Sequence, residues 1–251
     1  MTDLLVSVHV PKTAGTSFRA ALHGAFGAGL RLDYHHERAA ARLHAKGVDP
    51  VDLHRRWLDL GPARATAKYF AGPAFAGSRV ACIHGHFPAV KYLPAVLHRR
   101  VRFITWLRHP FRRMVSNYRF WHAQDRSKVV DPFVHHVLDD GWSLGRFCLS
   151  PSLRNYQSAF FKGFPMSRLA FVGVVEHYDS DLRWLAESVL GRDLGSVRLN
   201  ETRGDAGMDE AGELDDLQRR FEAYHDLDMA FYRRALALRA RRTPVLGARD
   251  A

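Results

Sequence analysis

The fold is decided by residues 6–18, which read Val6-Ser7-Val8-His9-Val10-Pro11-Lys12-Thr13-Ala14-Gly15-Thr16-Ser17-Phe18. The branched apolar residues from Leu4 to Val10 predict a strand that is buried on both faces of a sheet. Pro11 ends this strand because proline has no N–H group to donate to a neighbouring strand. Gly15 then permits a tight turn into a helix. The stretch therefore predicts a buried strand, a loop and a helix in immediate succession.

The loop itself has the character of an anion site. Thr16 or Ser17 is expected to cap the helix. The first N–H groups of a helix lack partners within it and lie at the positive end of its dipole, so they attract an anion. With Lys12 at the rim, the loop predicts a cradle for a phosphate or phosphosulfate group. It is not a Walker loop, because the lysine precedes Gly15 and no Gly-Lys pair follows. An ordinary strand-turn-helix with a surface lysine remains the alternative.

Composition places the chain among globular α/β proteins. Its 251 residues are 47% hydrophobic and 25% charged, which predicts a single domain over residues 1–251. The formal charge of +11 favours anionic partners: a nucleotide, a sulfated or acidic glycan, nucleic acid or an anionic surface. The two cysteines, Cys82 and Cys148, predict neither a disulfide framework nor a metal site. No signal peptide or membrane span is recognisable, so a cytoplasmic protein is expected.

Strand and helix patterns alternate along the chain. Strands are predicted at Leu4–Val10, Arg79–His84, Val101–Leu107 and Leu169–Val175. With helices between them they predict an α/β fold, P-loop-like and three-layered, with a central, mostly parallel sheet. Residues 33–75 form a helical insertion that is either a packing layer or a flap over the substrate. Residues 208–242 are mostly helical, and the last arginines (Arg239, Arg241 and Arg242) and residues 243–251 are expected to be frayed and solvated.

Charged and titratable residues follow several of these strands. In an open parallel sheet, ligands bind beyond the carboxyl ends of the strands, and Lys12, His84, His86 and Arg108 all come just after such ends. Ser116 follows on the helix after Arg108, and an arginine fork with a hydroxyl suits a phosphate dianion. The next two arginines, Arg112 and Arg113, are expected to be solvated charges of that helix.

Several of these segments resemble known sequence motifs. Residues 9–17, His-Val-Pro-Lys-Thr-Ala-Gly-Thr-Ser, resemble the 5′-phosphosulfate loop of sulfotransferases. Residues 107–118, Leu-Arg-His-Pro-Phe-Arg-Arg-Met-Val-Ser-Asn-Tyr, resemble their 3′-phosphate segment. The His84-Gly85-His86 segment is similar to that of the carbohydrate branch, which includes the heparan and dermatan uronyl 2-O-sulfotransferases and bacterial relatives. The resemblance runs from about residue 5 to residue 190, and it is weak over 33–75 and in the C-terminal third.

The resemblance implies transfer of a sulfuryl group from 3′-phosphoadenosine 5′-phosphosulfate (PAPS) to a hydroxyl of a sugar or glycan, with release of PAP and no metal. The basic charge of the chain suits an acidic acceptor. The resemblance also implies that Lys12 stabilises the leaving phosphosulfate, that Arg108 and Ser116 hold the 3′-phosphate, and that His86 is the general base. The backbone N–H groups of Thr13, Ala14, Gly15, Thr16 and Ser17 would wrap the phosphosulfate.

Some assignments stay open at this stage. His84 and Glu176 are alternative bases, and Arg203 is a candidate that closes over the nucleotide. Asn155 and Gln157 are candidates for contact with donor or acceptor. Two other functions are also compatible with the charge: a nucleotide-dependent kinase, and a non-catalytic polyanion-binding protein. No nucleic-acid-binding motif is recognisable, and the oligomeric state is open.

Overall fold

The computed structural model describes residues 3–34, 36–59, 79–97, 99–195 and 211–242. Its centre is a sheet of five strands in which every neighbouring pair is parallel, in the order β2-β3-β1-β4-β5. The strands are β1 Leu4–His9, β2 Leu30–Asp33, β3 Cys82–Gly85, β4 Val101–Leu107 and β5 Leu169–Val174. The predicted α/β class is therefore confirmed, and the sheet is entirely parallel where the sequence predicted a mostly parallel one.

Helices connect these strands and cover both faces of the sheet. In the first half of the chain they are α1 Gly15–Phe26, α2 His36–His44, α3 Pro50–Asp59 and α4 Pro110–His122. In the second half they are α5 Pro132–Asp139, α6 Leu144–Cys148, α7 Tyr156–Ala159, α8 Tyr178–Trp184, α9 Ala211–Tyr224 and α10 Asp226–Ala240. Asp49 and Asp131 accept backbone N–H bonds at the starts of α3 and α5, as an aspartate before a proline predicts.

Two hydrophobic cores lie on opposite faces of the sheet. Alternate residues of β1 point to opposite sides, so that Leu5 packs with Phe18 and Leu22 of α1, while Val6 and Val8 face the larger core under α4 and α10. All of these side chains are almost completely buried. The result is the three-layer arrangement that the sequence predicts.

One strand, β2, was not predicted from the sequence. β2 pairs with β3 at the edge of the sheet, from Leu30 beside Cys82 to Asp33 beside Gly85. Only Asp33 of this strand is buried, so the segment shows no apolar run. The close approach of the two strands depends on Gly85, because a Cβ atom there would lie 1.9 Å from the carbonyl oxygen of Asp33.

Two of the three C-terminal arginines, Arg239 and Arg242, are docked, which corrects the expectation that they fray, whereas Arg241 is exposed as expected. Arg239 donates from Nε to Oδ1 of Asp181 at 2.8 Å, and Arg242 donates from Nη2 to the carbonyl oxygen of Val172 at 3.1 Å. Both bonds tie the end of the C-terminal helices to β5 and α8. Of the expected helical insertion over 33–75, the described part carries α2 and α3, and the predicted fraying of 243–251 lies outside the described residues.

Candidate functional site

The loop after β1 has an unusual backbone. Lys12 and Ala14 have φ angles of 69° and 59°, in the left-handed region that non-glycine residues seldom adopt. The helix α1 begins at Gly15 with Ala14 as its N-cap, and Ala14 has no side-chain oxygen to accept the first N–H groups. The expectation that Thr16 or Ser17 caps the helix is therefore wrong, since both lie within its first turn. Their backbone N–H groups are among those that a helix cannot satisfy internally.

The side chain of Thr13 turns away from this site. It is completely buried, and its hydroxyl donates to the carbonyl oxygen of Val10 at 2.8 Å. The first helical bond of α1 runs from the N–H of Phe18 to the carbonyl oxygen of Ala14 at 3.0 Å. The bond made by Thr13 closes the loop on itself and helps to hold its shape.

A large cavity lies at the carboxyl edge of the sheet. Its volume is about 1580 Å³, and it brings together most of the residues that the sequence singled out. Those that line it are Lys12, Ala14, Gly15, Thr16, Ser17, His86, Arg108, Ser116 and Glu176. Arg203 lies outside the described residues. The cavity thus contains the loop after β1, the end of β4 and the start of α4, as expected for a ligand site in a parallel sheet.

Two cations of the cavity influence each other. Burial lowers the pKa of Lys12, and the positive charge of Arg108 lowers it further. Arg108 follows β4, and its backbone N–H donates to Oε1 of the buried Gln157 at 3.4 Å. Repulsion between two cations at one wall of a cavity is relieved by a bound anion, so this wall is suited to a polyanionic ligand.

The histidines lie at two depths below the cavity. In the deeper layer, His84 is 1% exposed, and its Nδ1 lies 2.9 Å from the hydroxyl oxygen of Ser7. In the upper layer, the rings of His9 and His86 lie 4.6 Å apart and both line the cavity. Burial lowers the pKa of both His9, to about 3, and His84. His84 is therefore a buried neighbour, whereas His86 lines the cavity with both of its ring nitrogens buried.

Glu176 lines the cavity just after β5. Its Oε1 accepts the backbone N–H of His109 at 2.8 Å, and its carboxylate also bonds to Tyr232 of α10. It fastens the loop after β4 to the turn after β5. This arrangement gives Glu176 an orienting role in the protein.

Asn155 and Gln157 are both used within the fold. The side chain of Asn155 bonds Oδ1 of Asp226 and the backbone N–H of Asp228, at the junction of α9 and α10. Gln157 is completely buried beneath Arg108. Neither residue lines the cavity. We conclude that Asn155 anchors the C-terminal helices and that Gln157 supports the loop after β4.

Arg113 is completely buried, which corrects the expectation of a solvated charge. Its guanidinium lies 5.0 Å from the centre of the Tyr156 ring, and the negative charge of Asp228 acts on it. Arg112 is exposed, as expected. No role was predicted for His9, and Tyr34 was not predicted to lie beside it; the Nδ1 of His9 and the hydroxyl oxygen of Tyr34 lie 3.0 Å apart. A histidine at the end of the first strand was the available signal for His9.

Comparisons with known proteins give one kind of match. No protein-family model and no curated protein matches the chain. Among solved structures, a sulfotransferase from Alicyclobacillus acidocaldarius aligns over 95% of this chain and 96% of its own, with 13% identity and a TM-score of 0.43. A likeness of this size assigns no activity, so the function rests on the geometry of the site. Within the described ranges, no set of three His, Cys, Asp or Glu side chains is arranged to hold a metal ion, and no helix is long and apolar enough to cross a membrane.

Proposed function

We propose that this protein is a sulfotransferase that moves a sulfuryl group from PAPS to a hydroxyl of a sugar or glycan. The observation that carries the proposal is that the start of α1, Lys12, Arg108 and Ser116 line one cavity. These groups provide two anion-binding positions on neighbouring strands, β1 and β4. A nucleotide that carries a phosphosulfate at its 5′ end and a phosphate at its 3′ end has an anion for each position.

The first position suits the phosphosulfate. PAPS supplies the sulfuryl group and leaves as PAP, so negative charge grows on the 5′-phosphate side during transfer. The N–H groups of Gly15, Thr16 and Ser17 and the ammonium of Lys12 stabilise charge at that place, and the fixed loop needs little reorganisation to do so. By analogy with phosphoryl transfer, such positioning and electrostatic stabilisation supply most of the catalysis.

The second position suits the 3′-phosphate. Arg108 offers a planar fork of N–H donors, and Ser116 offers a hydroxyl from α4. This pair gives the protein a means of preferring PAP to ADP, because ADP lacks the 3′-phosphate.

The proposed acceptor depends on two features: His86 as the base, and the positive charge of the protein. His86 would take the proton of the attacking hydroxyl, a task for which an imidazole is suited near neutral pH. The cationic side chains of the cavity outnumber the acidic ones. The cations are Lys12, Arg108, Arg112, Arg119 and Lys128, and the acids are Asp131, Glu176 and Asp215. Because Lys12 and Arg108 serve the donor in this proposal, the preference for an acidic sugar or glycan as acceptor depends on the formal charge of +11 of the whole chain.

Calorimetric titration with PAP, ADP and ATP with magnesium tests the donor site. We expect PAP to bind at least about tenfold more tightly than ADP, because charged hydrogen bonds to the 3′-phosphate are worth about 1.5–3 kcal/mol. Arg108→Ala should abolish this preference. Arg126→Ala is the matched control, since Arg126 pairs with Asp139 on the exposed surface and does not line the cavity.

The possible outcomes separate the three functions. Preference for PAP that depends on Arg108 supports the sulfotransferase, and transfer of label from radioactive PAPS to acidic rather than neutral sugars then supports the acceptor class. Preference for ATP with magnesium would replace this function with a kinase. Binding of none of the nucleotides, with tight salt-sensitive binding of heparin or DNA, would replace it with polyanion binding.

A further inference from the structure

The side chain of His86 lies between two other rings at the edge of the cavity. Its ring centre lies 4.6 Å from that of His9, at an interplanar angle of 42°, and 4.6 Å from that of Tyr34, at 74°. His9 ends β1, Tyr34 follows β2 and His86 follows β3. Because these strands are neighbours in the order β2-β3-β1, one ring comes from the end of each.

The ring of His9 has little freedom to move. Its Nδ1 shares a hydrogen bond of 3.0 Å with the hydroxyl of Tyr34, and its face stacks on His84 at 5.0 Å and 15°. The opposite side packs against Gly15, where a Cβ atom would lie 1.9 Å from Cε1 and Nε2 of the ring. His9 therefore touches both the first residue of α1 and the ring of His86.

The surroundings of His9 keep its ring neutral beside His86. Burial and the positive charges of Arg19 and Lys12 lower the pKa of His9, and burial raises the pKa of Tyr34. The pKa of His84, directly beneath, is lowered for the same main reason. Neutral rings at these positions spare His86 the repulsion that a neighbouring imidazolium would add to its own protonation.

We propose that Tyr34 and His9 are positioning residues that fix the ring of His86 toward the cavity through their shared hydrogen bond. This inference rests on the proposed function in so far as His86 is the base. The hydroxyl of Tyr34 holds His9, and His9 together with the Tyr34 ring holds His86. Misplacement of a catalytic group by about 1 Å costs as much as 10²-fold in rate. Loss of the contacts that hold His86 should therefore lower the rate measurably.

The test is Tyr34→Phe, which removes the hydroxyl and keeps the ring against His86. We expect kcat for sulfuryl transfer to fall about tenfold, while the KM for PAPS and the affinity for PAP stay unchanged. His86→Gln should lose far more, in the range of about 10²–10⁴-fold that removal of a general base causes. Tyr118→Phe is the matched control, because Tyr118 also donates one hydrogen bond, to the carbonyl oxygen of Trp142 at 3.1 Å, and does not line the cavity.

A purely structural role for Tyr34 would give a different pattern. Tyr34→Phe and Tyr118→Phe would then lower the melting temperature alike and leave kcat alike, and this result would overturn the proposal. A loss of PAP affinity in step with kcat in Tyr34→Phe would also overturn it, since the hydroxyl would then act on the donor loop.

A second readout does not need activity. The Cε1–H resonance of His86, followed by NMR from pH 5 to 9, should change in position in Tyr34→Phe and stay the same in Tyr118→Phe. If wild-type protein binds no PAP, the proposed function fails, and the NMR experiment still decides the positioning contact. An unchanged His86 signal in Tyr34→Phe would overturn that contact.

Discussion

The Nζ atom of Lys12 lies 3.9 Å from the centre of the Phe120 ring. Lys12 belongs to the loop after β1, and Phe120 belongs to α4, the helix that also carries Ser116. This cation–π contact links the loop that provides the first anion position of the cavity to the helix that contributes Ser116 to the second. The backbone of Lys12, with its φ of 69°, is held in a conformation that must be maintained by its surroundings.

Replacement of this lysine separates catalysis from donor binding. In Lys12→Ala we expect kcat to fall about 10²–10³-fold, as on removal of a group that stabilises transition-state charge. PAP affinity should change by only a few fold, because the start of α1, Arg108 and Ser116 remain. Lys162→Ala is the control, since Lys162 is exposed and precedes the amino end of β5. A loss of PAP affinity with kcat unchanged would show that Lys12 serves binding alone.

The sequence was sufficient to predict which residues lie at the carboxyl edge of the sheet, where these residues follow buried strands. Lys12, His86 and Arg108 come directly after β1, β3 and β4, whose apolar residues and terminal prolines or glycines are visible in the sequence. A parallel sheet brings such positions to one edge, and the cavity lies there. The rule needs only local patterns, which explains its success.

The position of Tyr34 beside His86 was not predicted, because the strand before Tyr34 has no such pattern. β2 lies at the edge of the sheet and exposes most of its side chains, so that neither alternation nor an apolar run marks it. Without β2, nothing in the sequence placed Tyr34 beside His86. Its position follows from the pairing of β2 with β3, which is a long-range contact.

The burial of Arg113 was not predicted, for a different reason. Arg112 and Arg113 are adjacent and chemically identical, yet successive helical residues point about 100° apart, so one faces solvent and the other the core. The acid whose charge acts on Arg113 is Asp228 on α10, far along the chain. Asp228 also accepts the N–H groups of Gln157 and Ser158. A buried charge with a partner so distant in sequence leaves no local signal.

Gly15 allows a sharper test of the donor loop. In Gly15→Ala the new methyl group would overlap the ring of His9, at 1.9 Å from two ring atoms. We expect the free energy of unfolding to fall by about 1–3 kcal/mol and PAP binding to weaken, because His9 or the loop must move. Chemical denaturation and calorimetric titration measure the two effects.

The same helix supplies the control for this substitution. Gly24 also lies in α1, and a Cβ atom there meets nothing within 4 Å. Gly24→Ala should raise the free energy of unfolding by about 0.5–1 kcal/mol through helix propensity and leave PAP binding unchanged. If Gly15→Ala behaves in the same way, the packing of His9 against the loop has no part in donor binding.

His225, at the junction of α9 and α10, makes stability depend on pH. It is completely buried, its Nδ1 accepts the backbone N–H of Asn155 at 3.1 Å, and its Nε2 lies 2.8 Å from the carbonyl oxygen of Cys148. Since Nδ1 must be an acceptor, the ring proton lies on Nε2 and donates to Cys148. A second proton would occupy Nδ1 and break the bond from Asn155, and burial lowers the pKa of His225 to about 4.

The sign of the effect follows from the two protonation equilibria. An unfolded histidine has a pKa of about 6.5, so between about pH 6.5 and 4 the unfolded chain binds a proton that folded His225 does not. The free energy of unfolding should therefore fall as the pH drops through this range and be insensitive to His225 above it. In His225→Gln, denaturant titrations at several pH values should show a flatter slope, and in His23→Gln, at an exposed position of α1, the wild-type slope. A slope that stays unchanged in His225→Gln would place the acid sensitivity in other groups, with the buried His9 and His84 next to be tested.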